Sequence, residues 1–187
     1  MYRAVTWLAL RRGVDPDDPS ALAHLADSVT ITVREAPDDA MASTAVLLDG
    51  EDATPFLRDA AVEASVSLVS RVPGVRSALV RIQRDLASSG TVVMAGRDIG
   101  SVVLPDAGLK VYLDASREVR ARRRAAQMRE SGLTPDLDEL MADLARRDGI
   151  DSNRETSPLT AAPGAVIINT DELTIAEVVK RILNLAA

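Results

Sequence analysis

The sequence predicts an α/β fold in which a parallel sheet carries flanking helices. Two observations predict it. Short apolar runs at 91–95 (TVVMA), 109–113 (LKVYL) and 165–169 (AVIIN) alternate with longer amphipathic segments. Strands covered on both faces read as such runs, whereas half-exposed strands alternate apolar with polar. The 187 residues, 47% hydrophobic and 27% charged, suffice for one ordinary domain with its own core.

Residues 4–12 read as a helix, ended by Gly13 and the turn-like 14–20 (VDPDDPS). Ser20 is expected to cap a short second helix with Leu22 and Leu25 inward. Residues 29–33 (VTITV) and 45–48 (AVLL) read as strands, followed by an Asp49-Gly50 turn. This stretch is expected to form a small β-rich lobe outside the main sheet. A helix at 62–71 stops before Pro73. The next, 74–87, places Val75, Leu79, Ile82 and Leu86 on one face and ends at Ser88-Ser89-Gly90.

Strand 91–95 opens the second half. Strand 109–113 ends at Asp114, and helix 117–130 carries a run of arginines with Gly132 near its C-cap. Helix 136–148 leads into a loop at 149–164, then strand 165–169. Thr174 with Glu177 three residues on is a capping box for a last helix, 175–185. There is no internal repeat and no low-complexity segment.

Composition removes several classes of function. The chain has no cysteine and one histidine, His24, so disulfides, thiolate chemistry and multi-histidine metal sites are excluded. No apolar run approaches the roughly 20 residues that span a bilayer. The opening MYRAVTWLALRRG lacks a signal peptide's basic start and cleavage site, which points to the cytoplasm. Net charge is −6, yet residues 15–63 hold twelve acids and two bases, so the remainder is net basic. Lysines occur only at 110 and 180; the other 20 basic residues are arginines. An acidic chain with four aromatics is not a general nucleic-acid binder.

Chemistry is expected where ligands collect in open parallel sheets, at the carboxyl ends of strands. Directly after 91–95 comes Gly96-Arg97-Asp98-Ile99-Gly100. Its glycines allow close backbone approach; Arg97 can hold a phosphate and Asp98 can accept from a sugar hydroxyl or a base amine. The plainer alternative is a turn with a local ion pair. Arg117, Arg120, Arg122, Arg123, Arg124 and Arg129 share one helix, and Arg120 repels Arg124 at i, i+4. Either Glu118 and Glu130 offset this, or the helix is a lid that brings arginines to a polyphosphate. A third cluster runs from Arg146 to Arg154, read either as a clamp over substrate or as a solvated charge run. Trp7 and Tyr112 read as core, and nothing near His24 completes a triad.

These clusters, in this order and spacing, resemble bacterial cytidylate kinases, nucleoside monophosphate kinases of the P-loop NTPase type. The stretches that carry the resemblance are MYRAVTWLALRRGVD, LLDGED, VRSALVRIQR, GRDIGSVVLPDAGLKVYLDAS, ARRRAAQM and RRDGIDSNRETSPL. They extend over nearly the whole chain. The resemblance implies phosphorylation of CMP and dCMP by ATP with Mg²⁺, no polymer or membrane partner, and a monomer. It implies a single domain, 1–187, with an NMP-binding and insert region at 15–63 and a lid at 117–154.

It also implies roles for matched positions. Arg3, Arg76 and Arg97 match ligands of the acceptor phosphate or nucleotide. Asp98 matches a carboxylate that reads cytosine. Asp151 and Arg154 match residues that hold the sugar, and Arg123, Arg124 and Arg147 match arginines around the transferred phosphoryl group. The family begins with a strand, a P-loop, a helix and a second strand before the segment matching Met1-Tyr2-Arg3. No G-x-x-x-x-G-K-[ST] occurs in these 187 residues. The expectation is therefore an N-terminally truncated domain without first strand, P-loop and second strand. A late-assigned start, a truncated gene product or a fragment completed by a partner would each produce it. With a central strand gone, neighbours about 10 Å apart cannot pair at about 5 Å, so weakly cooperative unfolding is expected.

Overall fold

The computed structural model describes residues 1–35, 44–88, 90–130, 132–152 and 160–187, with 147 and 150–152 described by backbone alone. Met1–Val92 and Val93–Ala187 form two compact units.

In the first unit, α1 (Tyr2–Arg11) buries Ala4 through Ala9 without interruption. A helix buried around most of its circumference needs partners on several sides. α3 (Ala60–Arg71) supplies one and β2 (Thr44–Leu48) another. Thr6, fully buried, donates its hydroxyl to Tyr2 O at 2.9 Å, which satisfies its polar atom inside the helix. α2 (Pro19–Ser28) begins differently from the sequence reading. Asp18 is the cap, not Ser20: its carboxylate accepts from the Ser20 and Ala21 amides, and Pro19 takes the first turn, where no amide donor is needed.

β1 (Ile31–Glu35) pairs antiparallel with β2, Ile31 opposite Leu48 and Glu35 opposite Thr44. β3 (Glu51–Asp52) returns antiparallel on β2. Asp49 and Gly50 both have positive φ, 50° and 86°. That conformation matches the twist of a two-residue hairpin, as the Asp-Gly pair predicts. Asp49 tolerates it because its carboxylate accepts from the Thr30 amide at 2.9 Å and pairs with Arg12 at 3.1 Å.

α4 (Pro73–Ser88) lies against α2 and turns Val75, Ala78 and Leu79 inward. The continuous apolar core runs through α1–α4, β1 and β2, with Trp7 stacked on Phe56 at 5.3 Å.

The second unit is built on less apolar burial. Residues 91–95 are not a strand, contrary to the sequence reading. Val92 and Val93 are exposed, Val93 almost completely. An apolar run becomes a strand only where another backbone meets its N–H and C=O groups. Among the described residues, β4 (Val111–Asp114) pairs in parallel with β5 (Val166–Asn169) and with no other strand. Nor is this sheet covered on both faces: Leu113 and Ile167 are more than half exposed.

α5 (Arg117–Glu130) is capped by the Ser116 hydroxyl and buries only Ala121 and Ala125. Gly132, at φ 78°, closes its C-terminal end as expected. α6 (Leu137–Ser152) packs on α5 and runs four residues beyond the expected end at 148. Gly149 costs a helix roughly 1 kcal/mol but does not by itself stop one. α7 (Ile175–Ala186) opens with the predicted capping box, Thr174 and Glu177 bonded both ways.

Two stability predictions follow from this packing. A Cβ on Gly74 would stand 2.4 Å from the Ala23 Cβ, a methyl that cannot swing aside. Gly74→Ala, which normally favours a helix, is therefore expected to destabilise by about 1–3 kcal/mol through overpacking. A urea midpoint equal to or above wild type would contradict this. The first unit holds the large core and the only tryptophan, Trp7. On heating, part of the far-ultraviolet helix signal should vanish before Trp7 fluorescence shifts. Coincident transitions would refute that order.

Candidate functional site

Two sequence-predicted arginines lie in the first unit, on the opening turns of α1 and α4. Arg3 is partly exposed. Its Nη1 donates to Leu57 O at 2.9 Å and to Glu63 Oε1 at 2.7 Å. Arg76 is only 4% exposed. Its Nη1 donates to Ser70 O at 3.2 Å, and its guanidinium lies 5.4 Å from the Tyr2 ring centroid. A buried cation survives only with acceptors and a π face around it. Both arginines thus clasp α3, Arg3 at its first turn and Arg76 at its last.

In the second unit, Gly96-Arg97-Asp98-Ile99-Gly100 leads into one wide helical turn, residues Ile99–Val103. The Asp98 carbonyl accepts from the Val102 and Val103 amides, and the Ile99 carbonyl from Leu104 at 2.7 Å. The sequence offered no sign of this i→i+5 turn. Such wide turns recur at functional sites. Asp98 is 6% exposed while Arg97 is exposed, so adjacent residues face inward and outward. The glycines allow close approach within the protein itself. A Cβ on Gly96 would stand 2.8 Å from Ile99 Cγ1, and one on Gly100 3.2 Å from the Ala162 Cβ.

The arginine helix is held by partners that the sequence reading did not name. Arg120 grips Asp148 with two parallel bonds, 3.0 and 2.6 Å, a bidentate pair joining α5 to α6. Glu118 was one expected counter-charge; its carbonyl, not its carboxylate, accepts from Arg122. Arg123 gives one nitrogen to the Thr170 hydroxyl at 3.0 Å and the other to the Thr170 carbonyl. The Thr170 hydroxyl in turn donates to Asp114 O at the end of β4. Arg124 is half-buried on the same helix. Arg147 and Asp151 lie on α6, described by backbone only, and Arg154 lies outside the described residues. A signal for Asp148 did exist: Arg120 and Asp148 stand equally far from Thr134, so an antiparallel helix pair brings them face to face.

Asp148 is the electrostatic centre of this unit. The hydrogen bonds from Arg120 hold its carboxyl below the usual aspartate range, partial burial opposes the shift, and the charges of Arg120, Arg97 and Arg117 add to it. Arg120 is pushed upward in return. Asp114 acts on Arg120 in the same sense as Asp148, so two carboxylates share the field of these arginines. Among the described residues no group of three or more histidine, aspartate or glutamate side chains could hold a metal ion. No described helix is long and apolar enough to cross a membrane.

The Arg120–Asp148 pair yields a pH prediction. A depressed folded pKa contributes stability above the unfolded value, near 3.9 for aspartate, and loses it as pH falls through the lower folded value. Asp148→Asn should cost about 1 kcal/mol at neutral pH, a modest figure because the pair is partly exposed. The gap between variant and wild type should close in acid. A gap that persists unchanged well below the aspartate range would contradict the pairing.

The family profile described as Cytidylate kinase matches residues 1–187. The chain is 46% identical over 186 residues to the cytidylate kinase of Mycolicibacterium paratuberculosis, covering 99% of this chain and 80% of that protein. It is 47% identical over 183 residues to that of Symbiobacterium thermophilum, covering 98% and 80%. Against that of Geobacillus kaustophilus the identity is 46% over 185 residues, covering 99% and 81%. With a whole-length family match and relatives this similar, the chain belongs to the cytidylate kinase family, a family of phosphotransferases.

Proposed function

We propose that the chain serves the transfer of the γ-phosphoryl group of ATP to CMP or dCMP, giving ADP and CDP or dCDP. The observation that carries this reading is the whole-length family match, which spans the Arg97-Asp98 turn with its buried carboxylate and exposed guanidinium. An acceptor phosphate oxygen attacks the γ-phosphorus while the bond to the ADP oxygen breaks. The attacking oxygen belongs to a phosphate already largely ionised at neutral pH, so catalysis is mainly positioning and charge neutralisation.

In this reading Arg3, Arg76 and Arg97 bind the acceptor's phosphate side. Asp98 accepts from the cytosine amine, a donor that a carboxylate can read. Asp151 and Arg154 hold the sugar. Arg123, Arg124 and Arg147 surround the moving phosphoryl group. Arg123 must leave Thr170 to do so, and Arg76 must exchange its Ser70 bond for a phosphate oxygen. Residues 15–63 act as the NMP-binding and insert region and 117–154 as the lid, within a single domain. Mg²⁺ enters with ATP, as part of that co-substrate. The working form is a cytoplasmic monomer, with no nucleic-acid polymer or membrane partner.

One observation favours a second reading for these 187 residues by themselves. They contain no G-x-x-x-x-G-K-[ST], the loop whose amides and lysine grip donor phosphates. On that reading the chain binds CMP without turning it over.

ADP release with ATP, Mg²⁺ and CMP separates the readings, with UMP and AMP as controls. CMP-dependent release supports the first reading; CMP binding without release supports the second. A folded sample that neither binds CMP nor releases ADP refutes both. Asp98→Asn should weaken CMP binding about tenfold to hundredfold, the loss of one charge-assisted hydrogen bond. Unchanged CMP affinity would remove Asp98 from the site.

A further inference from the structure

We infer that Glu63 is the positioning residue for Arg3 in acceptor binding, an assignment that rests on Arg3 being a phosphate ligand as proposed above. The two residues are 60 positions apart and meet because α1 packs on α3. Arg3 Nη1 carries both bonds, to Glu63 at 2.7 Å and to the Leu57 carbonyl at 2.9 Å. Two acceptors on one nitrogen fix both the position and the rotation of a planar guanidinium.

The burial is graded in the direction the role needs. The Glu63 side chain is 14% exposed and that of Arg3 36%. The acid lies inside, on the opening turn of a packed helix, and the cation extends outward from it. Among the described residues, Arg3 Nε and Nη2 make no hydrogen bond. Those two nitrogens form the edge that presents parallel N–H groups to two oxygens of a phosphate. Glu63 therefore occupies the inner nitrogen and leaves the bidentate edge available.

A competing arrangement would have Glu63 contend with phosphate for the same cation. Removing it would then tighten CMP binding. The positioning role gives the opposite sign, because an unanchored arginine must be ordered by the ligand at the ligand's expense. The role is also one of hydrogen-bond geometry, so a glutamine oxygen should serve nearly as well as a carboxylate.

The test titrates the full chain with CMP and with cytidine, which has no phosphate. The proteins are wild type, Arg3→Ala, Glu63→Ala and Glu63→Gln. Glu63→Ala is expected to weaken CMP binding on the order of tenfold and leave cytidine binding unchanged. Glu63→Gln should recover most of the CMP affinity. Equal or tighter CMP binding by Glu63→Ala overturns the inference. So does a parallel loss of CMP and cytidine binding, the mark of a structural defect. If Arg3→Ala leaves CMP affinity unchanged, the reading of Arg3 fails and the inference with it. If Arg3→Ala weakens CMP binding and Glu63→Ala does not, the inference alone fails.

Discussion

An arginine cannot shed its proton, so every guanidinium this chain draws in from water must be met by an acceptor or a π face. Much of the architecture around the candidate residues of each unit answers that constraint. Arg3 is met by Glu63 and a carbonyl, Arg76 by Ser70 O and the Tyr2 ring. Arg120 is met by Asp148 and Arg123 by Thr170. In each case the arginine ties together two elements distant in sequence. Three of them, Arg3, Arg76 and Arg123, are also residues proposed above for phosphate chemistry, and they fasten α1 and α4 to α3 and α5 to the end of β5.

That double use explains what could be read from the sequence and what could not. Local signals were dependable. The Asp49-Gly50 hairpin, the Gly132 stop and the Thr174–Glu177 capping box each depend on a few neighbouring residues, and each stands as expected. A local signal misled where two neighbours competed for one task, as when Asp18 rather than Ser20 took the cap of α2. Two partners of the arginines were invisible for another reason. Glu63 and Thr170 lie 60 and 47 positions from the cations they hold. Nothing in the vicinity of Arg3 or Arg123 marks those residues as acceptors; only folding does.

The run 91–95 shows the limit of apolar pattern. Its composition satisfies every local condition for a buried strand, yet it is mostly exposed and, among the described residues, outside any ladder. A strand is a relation between two backbones, and composition describes one. β4 and β5 have that relation, in parallel and in register, and for that reason the same kind of sequence is a strand there. Their exposed Leu113 and Ile167 show that pairing alone does not supply burial. The first unit has both, since its hairpins lie against helices that share one continuous core.

The contrast between the units bears on how arginines can work. Apolar burial has no alternative partner in a nucleotide, so α1, buried from Ala4 to Ala9, is held by contacts that a ligand cannot replace. α5 buries two alanines, and Arg120 and Arg123 hold it through acceptors that are oxygens. A phosphate offers oxygens of the same kind with more charge, so it can substitute for Asp148 or Thr170 at little net cost in hydrogen bonds. On the proposed function, α5 would take up a phosphate and release its neighbours in one exchange. The small side chains at 121 and 125 keep the cost of that exchange low.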